Sequence, residues 1–557
     1  MQRPSFPDQF NLADTVLFER EREGRGDRVA LRFGERSWTY SQVAERTRAL
    51  ARAFARLGVP REHRVYIVLP DTPPFCWSLL ATLAHGGVVA MGNPHAPAAD
   101  LEYVVDYSRA AAIVTTPAVA DSIAPALLRS PHLRALLLVP DVPTGGDSEA
   151  PVDPPASLAG AGFPVLSLCH AIDEGRELST PLIPTHRDEV CFWLFTSGTT
   201  GKPKANMHTH RDFAYNIEVY ARRTVGYRED DVTVSVPRLF FGYATGTNLL
   251  FPLAVGATAA LFSERPTPES VAAAIARYRP TIVTNVPTMM GKLLDFDDER
   301  AARGEERIDM SSCRFHLSAG EALPPALLER FMARFGCDVY DGIGSAEMFH
   351  IYASNRPGDI RPGSLGRVVE GYEIAILPQD AAGPGAAPLP PGETGVMWVR
   401  GDSVSLGYFL DRDKSWSTFY GHWCRTGDLF RIDQDGYLWF SGRADDLIKV
   451  SGVFVAPVEV EDCLIQHPAV GLAAVIPVEE DGLTKTRAFV VLREGARARA
   501  ETQGGRAALS AEILEHCVAR LSRQKVPRSV VFVDDLPKND RGKIDRRALI
   551  RAVKGQG

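Results

Sequence analysis

Short apolar runs alternate with amphipathic segments along most of this chain. Residues 190–195 are six consecutive apolar residues, a pattern that predicts a buried strand. Similar runs alternate with predicted helices, and this alternation favours parallel sheets flanked by helices. The other strands predicted here are residues 64–70, 86–90, 232–236, 251–262, 281–286, 314–318 and a strand ending at Asp341, and the predicted helices are residues 74–86, 267–279 and 324–335.

Turn and capping residues predict further elements near the N-terminus, and another helix is predicted after residue 204. Residues 29–33 and 37–40 are predicted to form a hairpin. Ser41 is predicted to cap the next helix, which ends at Leu57, because its hydroxyl can accept a hydrogen bond from a free helix amide. Residues 205–225 are predicted to form another helix.

The C-terminal part of the chain carries a separate pattern. Residues 470–478 and 488–493 are predicted strands and residues 507–521 a predicted helix, which is enough for a small mixed domain. Before it, residues 381–394 are rich in Pro and Gly and are predicted to be a turn. Residues 396–400 are predicted to be a strand of a smaller β-rich unit.

Length and composition are those of a soluble globular protein. The chain has 557 residues, which at roughly 150 residues per domain predicts three or four domains or subdomains. The net charge of −7 excludes a general attraction to nucleic acid. Residues 522–557 are locally basic, with ten Lys or Arg against four Asp, and are predicted to be partly solvated and partly turned towards an anionic ligand.

Neither export nor membrane insertion is predicted. Its first ten residues contain no apolar signal core, and no run approaches the roughly eighteen apolar residues of a membrane span. The eight cysteines form no Cys-x-x-Cys pair and no zinc spacing. A cytoplasmic protein with free thiols is therefore predicted.

A loop rich in glycine, hydroxyls and lysine follows the strand at residues 190–195. Its glycines allow a tight turn with inward-facing amides, while its hydroxyls and lysines add donors and positive charge, so the loop can bind a polyphosphate. Taken alone, the loop also fits a polar surface loop of chance composition. A P-loop is excluded, because only two residues separate its glycines and Pro203 follows the first lysine. The predicted phosphate-binding residues are Thr196, Ser197, Gly198, Thr199, Thr200, Gly201, Lys202 and Lys204.

Four further motifs follow in order: residues 341–347 (DGIGSAE), 425–429 (RTGDL), 442–446 (GRADD, continuing to residue 452) and 537–543 (PKNDRGK). With the loop they span nearly the whole chain. In these motifs the chain resembles the adenylate-forming superfamily, which includes acyl-CoA synthetases, adenylation domains of peptide synthetases and luciferases.

The resemblance implies an α/β architecture. The large N-terminal domain, residues 1–442, is expected to contain two stacked α/β subdomains and a small β-rich subdomain. Residues 443–557 are expected to form a small, mobile α+β lid domain on a hinge.

The resemblance also implies ATP, Mg²⁺ and coenzyme A as ligands. A carboxylate attacks the α-phosphorus of ATP, pyrophosphate leaves, and a thiol then displaces AMP. Glu347 is expected to place Mg²⁺, and Lys543 to reach the carboxylate and the α-phosphate as a mobile charge. Further nucleotide contacts are expected at Gly320, Glu321, Asp341, Gly342, Ser345 and Ala346, ribose contacts at Asp428 and Arg443, the hinge at Asp445, and the CoA side at Lys449, Ser451 and Gly452.

Three segments resemble benzoate-CoA ligases in particular: residues 239–243, residues 318–324, and residues 342–351 with 354–358. They imply a single-ring aromatic acid, with or without an amino or hydroxyl substituent, as in anthranilate or the hydroxybenzoates. The pocket is predicted to use Phe241, Tyr243 and Ile343 as apolar walls, Gly242, Ala319 and Gly320 as room for the ring, and His350 as a polar contact to the carboxylate or a ring substituent. The alternative for His350 is a packed histidine whose hydrogen bonds are made by the backbone.

Two alternatives share these motifs. The first is an adenylation enzyme that loads an aryl acid onto a carrier protein, and the second is a silent nucleotide-binding relative, against which Lys543, Asp428 and Glu347 argue. The sequence does not decide between a monomer and a homodimer.

The chain departs from the family pattern at Ala346, where Thr is usual, and at Ala205, where Gly is usual. His208 and His210 are predicted to be a polar wall of the nucleotide pocket rather than metal ligands.

Overall fold

The computed structural model describes residues 3–197, 202–450, 453–480, 483–537 and 544–554. The chain divides into two compact units. The first comprises Met1–Ile374 and Val399–Arg425, and the second comprises Ala375–Trp398 and Thr426–Gly557. The functional boundary expected at Gly442 stays a prediction.

Strands and helices alternate along the chain. The strands are β1 (Val29–Phe33), β2 (Arg36–Thr39), β3 (Arg64–Val68), β4 (Val88–Met91), β5 (Ala112–Thr115), β6 (Ala135–Leu138), β7 (Val165–Ser167), β8 (Val190–Ser197), β9 (Pro203–Thr209), β10 (Val232–Ser235), β11 (Thr258–Leu261), β12 (Ile282–Asn285), β13 (Phe315–Ala319), β14 (Asp338–Gly344), β15 (Ile351–Ser354), β16 (Arg367–Val368), β17 (Glu373–Leu377), β18 (Gly395–Arg400), β19 (Phe419–Tyr420), β20 (Trp423–Ile432), β21 (Leu438–Arg443), β22 (Ile448–Val450), β23 (Val453–Val455), β24 (Val470–Glu480), β25 (Leu483–Leu492) and β26 (Ser529–Phe532).

The helices complete the set of elements. The α-helices are α1 (Glu19–Arg22), α2 (Tyr40–Arg56), α3 (Pro73–His85), α4 (Ala98–Ser108), α5 (Pro117–Ser122), α6 (Ala124–Arg129), α7 (Leu168–Arg176), α8 (His210–Asn216), α9 (Gly242–Thr245), α10 (Phe251–Val255), α11 (Pro268–Tyr278), α12 (Pro287–Ala302), α13 (Pro325–Phe335), α14 (Arg412–Thr418), α15 (Pro457–Ile465), α16 (Glu494–Ala500), α17 (Gly505–Val518) and α18 (Arg546–Lys554). Segments Asp14–Phe18, Ile217–Val225 and Gly246–Leu250 are π-helical, and Ala156–Leu158, Ala346–Met348 and Ala444–Asp446 are 3-10 turns.

Two mainly parallel sheets form the framework of the first unit. One has the order β16-β15-β14-β13-β12-β10-β11-β1-β2, and the other has the order β7-β6-β5-β3-β4-β8-β9. Helices α11, α12 and α13 contribute to one buried apolar core, and α4, α5 and α6 contribute to another. Because helices cover strands that are buried on both faces, the predicted α/β class is confirmed.

The second unit has its own core. Strand β24 pairs antiparallel with β25, which pairs parallel with β26. Residues from α15 and α17 pack on this sheet in one apolar cluster, and Leu549 of α18 belongs to a second. The strands and the helix predicted between residues 470 and 521 are therefore present.

Three local predictions are wrong. The cap of α2 is Thr39 and not Ser41, because the Thr39 hydroxyl accepts the Gln42 amide and the Gln42 side chain accepts the Thr39 amide. Residues 205–209 belong to a strand, β9, which pairs antiparallel with β8. Residues 251–255 form a helix, α10, which ends at Gly256 in the left-handed conformation, with a φ of 86°.

Among the described residues, none of the helices combines the length and apolar character that a membrane crossing requires.

Candidate active site

The carboxyl ends of β13 and β14 bring several predicted site residues together. The strands are parallel, and Ser318 pairs with Asp341 while Ala319 pairs with Gly342. Gly320, directly after β13, is exposed and has a φ of 90°, and a Cβ added to it would meet no atom within 4 Å. This strand edge is where parallel α/β sheets bind ligands, because adjacent loops diverge there.

Asp341 is a buried carboxyl at this edge. Its side chain is 4% exposed, and its Oδ1 atom has no hydrogen-bond partner within the described part of the chain. Burial raises the pKa of Asp341 to about 8. The group is therefore mainly protonated at neutral pH and can donate or accept a hydrogen bond.

Replacement of Asp341 by Asn is expected to remove part of the pH dependence of stability. The carboxyl has a pKa of about 8 in the fold against an ordinary value of 3.8, so the folded chain keeps a proton that the unfolded chain releases. The free energy of unfolding therefore falls as pH rises through this window, by up to about 1.4 kcal/mol per pH unit. Urea midpoints between about pH 5 and about pH 8 measure the slope.

The exposed Asp121 of α5 offers the matched control. Asp121→Asn is expected to keep the wild-type slope. Equal slopes in wild type and in Asp341→Asn would contradict the protonated state of the buried carboxyl.

Glu347 is held in place by a tyrosine and by the main chain. Its Oε1 atom accepts a hydrogen bond from Tyr408 Oη at 2.9 Å, and its main-chain oxygen accepts the Ser405 amide at 2.8 Å. Burial, with Glu347 beside it, raises the pKa of Tyr408, so the phenol remains a donor. A half-buried, oriented carboxylate fits Mg²⁺, which prefers oxygen ligands and keeps several waters.

Lys204, the last residue of the predicted phosphate loop, forms an ion pair with Asp411. Its Nζ atom lies 2.5 Å from Asp411 Oδ2 and 5.9 Å from the centre of the Tyr408 ring. The Lys204 hydrogen bond lowers the pKa of Asp411. Lys202 is exposed and lies over the Tyr103 ring at 4.8 Å.

The rest of the loop is only partly described. Thr196 pairs with Lys204 in the β8–β9 register, and the main chain of Ser197 ends β8. Gly198, Thr199, Thr200 and Gly201 lie outside the described residues, so their phosphate contacts stay predictions.

His208 and His210 are buried and have different partners. His208 Nε2 lies 2.6 Å from the main-chain oxygen of Ala346, and Nδ1 lies 3.1 Å from Asp212 Oδ2. His210 Nδ1 accepts the Leu12 amide at 3.1 Å, and burial lowers its pKa to about 3. His208 thus contacts the residue beside Glu347, whereas His210 holds the N-terminal segment.

The structure shows which residues surround Ala346 and Ala205, the two departures from the family pattern. Ala346 presents its main-chain oxygen to His208, in the turn that carries Glu347. Ala205 is fully buried in a cluster with Trp193 and Val88. An alanine methyl is therefore accommodated in β9.

His350 lies inside an aromatic cluster and not on an open surface. It is 3% exposed, and its nearest rings are those of Phe251 at 4.7 Å and Tyr243 at 5.5 Å, followed by Tyr220 at 5.7 Å. Its Nε2 donates to the Tyr243 main-chain oxygen at 3.2 Å, so Nδ1 is the free acceptor and has no partner in the described residues. Burial lowers the pKa of His350 to about 4, which makes the ring neutral at physiological pH.

The start of α9 supplies the other predicted walls. Phe241, Gly242 and Tyr243 are partly exposed, as is Ile343 of β14, but the Tyr243 hydroxyl is buried and has no partner in the described part of the chain. A Cβ on Gly242 would lie 3.1 Å from Leu194, so the backbone here is close to β8.

Two further predicted nucleotide contacts, Glu321 and Ser345, differ in their surroundings. The Glu321 carboxylate accepts hydrogen bonds from the amide and hydroxyl of Thr288, at the start of α12. The Ser345 hydroxyl is buried and has no partner in the part of the chain that the structure covers. Both remain predicted nucleotide contacts.

In the second unit, the two predicted ribose contacts lie together. Asp428 and Arg443 are opposite each other in the β20–β21 register, and Arg443 Nη1 lies 2.9 Å from Asp428 Oδ1. The main chain of Asp445 is in the 3-10 turn Ala444–Asp446, and that of Lys449 is in β22. The side chains of Asp445 and Lys449, and the whole of Ser451, Gly452 and Lys543, lie outside the described residues.

Sequence reasoning missed Tyr408, Asp411 and Asp212. Tyr408 is 61 residues from its partner Glu347, and Asp411 is 207 residues from Lys204. No local spacing connects such pairs. The sequence signal at Tyr408 and Asp411 is weak: a polar aromatic residue and an acid three positions apart, shortly after the strand predicted at residues 396–400.

Two family models match most of this chain. The family model "AMP-binding enzyme" matches residues 18–409, and the model "AMP-binding enzyme C-terminal domain" matches residues 459–543. The benzoate–CoA ligase of Thauera aromatica is 37% identical over 98% of this chain and 96% of its own length.

Two solved structures are similar over almost their whole length. The anthranilate CoA ligase AuaEII, in complex with anthranoyl-AMP, has a TM-score of 0.85 and 33% identity, over 100% of this chain and 99% of that one. A benzoate CoA ligase from Burkholderia xenovorans LB400 has a TM-score of 0.80 and 35% identity, over 97% and 99%. The chain therefore belongs to the family of AMP-binding enzymes.

Proposed function

We propose that this protein is an ATP-dependent ligase that joins a benzoate-type acid to coenzyme A. The observation that carries the proposal is the group of small residues at the carboxyl ends of β13 and β14, in a chain similar over its whole length to benzoate and anthranilate ligases. Gly320, which is exposed and has open surroundings, is proposed to leave room for a flat ring at this strand end.

The reaction has two steps. An oxygen of the acid attacks the α-phosphorus of ATP, the bond to pyrophosphate breaks, and an acyl-adenylate forms. The CoA thiolate then attacks the acyl carbon, and AMP leaves with the electron pair of the cleaved C–O bond. Each step needs positioned reactants and neutralised phosphate charge more than it needs covalent help from the protein.

Residues of the first unit fit the adenylation step. Mg²⁺, when bound, neutralises phosphate charge, and Glu347 is its proposed ligand. Tyr408 positions this carboxylate by donating to Oε1. Lys204 forms an ion pair with Asp411 in this structure. When ATP binds, Lys204 is proposed to leave Asp411 and to bind a phosphate oxygen instead.

The roles of the residues nearer the C-terminus are proposed from the resemblance to the adenylate-forming family. Asp428 and Arg443 are proposed to contact the ribose, and Lys543 is proposed to neutralise charge at the α-phosphate. Asp445 is the proposed hinge. Lys449, Ser451 and Gly452 are proposed to contact CoA.

Three polar atoms support an acid whose ring can carry an amino or hydroxyl group. Tyr243 Oη, His350 Nδ1 and Asp341 Oδ1 are buried without partners among the described residues. Neutral His350 can accept a hydrogen bond, and the Tyr243 phenol, whose pKa burial raises, can donate one. Unpaired polar groups of this kind discriminate strongly between substituted and unsubstituted substrates.

Free CoA is proposed as the acceptor. A carrier-protein pantetheine is the alternative, and competition between free CoA and a carrier protein in the second step distinguishes the two. The predicted cytoplasmic location and homodimer stay predictions.

Gly320→Leu is expected to reduce kcat/KM for benzoate by a larger factor than it weakens ATP binding. A leucine at the open strand end takes the space proposed for the ring, and overpacking of this kind costs about 1–3 kcal/mol. Steady-state kinetics with benzoate and equilibrium binding of ATP measure the two effects.

Gly336 provides a matched control, because it is also exposed and has a positive φ, 68°, and open surroundings. It follows α13, at the other end of β14. Gly336→Leu carries similar backbone strain and is expected to leave benzoate kinetics unchanged. Equal losses in the two variants would contradict the placement of the ring.

A further inference from the structure

A group of two thiols and one imidazole lies at the opposite end of β13 and β14. Cys313 precedes β13 by two residues, His316 is the second residue of β13, and Cys337 directly precedes β14. Their sulfur and ring-nitrogen atoms all lie within 4.8 Å of one another. Phe315 pairs with Asp338, so the parallel register brings the amino ends of the two strands together.

His316 is the unusual member of this group. It is 0% exposed, yet neither ring nitrogen has a hydrogen-bond partner among the described residues. Its ring packs edge-on against Phe331 at 4.9 Å, within the apolar core under α13. The ring nitrogens of this buried imidazole make no hydrogen bond of ordinary geometry, and two thiol sulfurs lie within 4.8 Å. The lost hydration is therefore poorly compensated, which points to a ligand that the ring and the thiols can bind together.

We propose that Cys313, His316 and Cys337 bind one Zn²⁺ ion, with a water molecule as the fourth ligand. Zinc bonds of about 2.3 Å to sulfur and about 2.0–2.1 Å to nitrogen place tetrahedral ligand atoms about 3.5–3.8 Å apart. From the observed upper limit of 4.8 Å, side-chain rotations have to close roughly 1 Å. Cys313 is only partly buried, so water can reach the ion from its side.

The two thiols and the imidazole favour Zn²⁺ over other metal ions. It contains no carboxylate, so it does not suit the hard cation expected at Glu347. Two thiolates balance the charge of Zn²⁺, which makes the bound ion neutral overall and compatible with apolar surroundings. Monovalent copper would leave one uncompensated negative charge in this core.

The position implies a structural role for the ion. It would join the amino ends of β13 and β14, the strands whose carboxyl ends carry Ala319, Gly320 and Gly342. The site is not recognisable in the sequence, because the two cysteines are 24 positions apart and precede neighbouring strands rather than forming a Cys-x-x-Cys pair.

Zinc titration of the tag-free, full-length protein tests the proposal. After dialysis against a chelator, wild-type protein is expected to take one Zn²⁺ per chain from a chromophoric competitor and to unfold at a higher temperature with zinc. Cys313→Ser and His316→Ala are expected to lose this binding. Cys169→Ser, at a partly buried cysteine outside the group, is expected to keep it.

Cobalt provides a second readout that does not depend on activity. Co²⁺ in place of zinc is expected to give a thiolate-to-metal charge-transfer band in wild type and Cys169→Ser but not in Cys313→Ser. Absence of stoichiometric zinc binding, a cobalt spectrum without that band, or full binding by Cys313→Ser would overturn the proposal. Because Cys313 is partly exposed, its serine variant keeps the test valid if His316→Ala fails to fold.

Discussion

Lys543→Ala is expected to lower the rate of adenylate formation by about 10²–10³-fold while sparing thioester formation. The proposed role of Lys543 is to neutralise charge at the carboxylate and α-phosphate during the first step, and such electrostatic contacts are worth about 3–4 kcal/mol in the transition state. Pyrophosphate release from ATP and benzoate measures the first step. CoA transfer from supplied benzoyl-adenylate measures the second.

Lys538, in the same motif, offers the matched control. Lys538→Ala removes a lysine five positions away without touching the proposed catalytic charge, and is expected to keep the first step near the wild-type rate. Equal losses of both steps in Lys543→Ala, with the fold intact, would contradict an adenylation-specific role.

Asp445→Pro is expected to abolish one of the two steps and to spare the other. If the small domain turns about Asp445 between the steps, a residue with fixed φ holds the linker in one state. The state that proline traps determines which step survives. The same two assays, pyrophosphate release and CoA transfer from supplied adenylate, identify the trapped state.

Ala387→Pro is the control for this variant, since it places a proline in an exposed, Pro-rich loop ahead of β18. It is expected to retain both steps. Full overall turnover by Asp445→Pro would show that rotation about this residue is not required.

The framework of the fold was predictable because buried parallel strands are continuous apolar runs. The runs at β8, β10, β12 and β13 were identified to within a few residues. The prediction failed where a tertiary partner decides the structure. Residues 203–209 form a strand because β8 offers an edge for pairing, and nothing in their own sequence has strand periodicity strong enough to exclude a helix.

Only part of the candidate site was predictable from the sequence. The strand-end residues belong to motifs in which neighbouring positions share one strand. The ribose roles of Asp428 and Arg443 come from the resemblance, and the pairing of these two residues between β20 and β21 is seen only in the structure. Contacts between distant segments do not follow from such motifs. Tyr408 on Glu347 and Asp411 on Lys204 are of this kind, as is the group at Cys313, His316 and Cys337.

The partners of His208 also depended on the fold. Its predicted place in a polar wall is consistent with its contact to Ala346, but the carboxylate of Asp212 on its other nitrogen comes from the first turn of α8. The predicted helix in this region began too early for that turn to be recognised.

A panel of acids compared by kcat/KM tests the central claim most directly. Wild-type protein with ATP, Mg²⁺ and CoA is incubated with benzoate, anthranilate, the hydroxybenzoates, acetate and octanoate, and AMP and thioester are measured. The proposed pocket predicts that one of the single-ring aromatic acids is the best substrate and that acetate and octanoate are poor. A higher kcat/KM for acetate or octanoate than for every aromatic acid would contradict it.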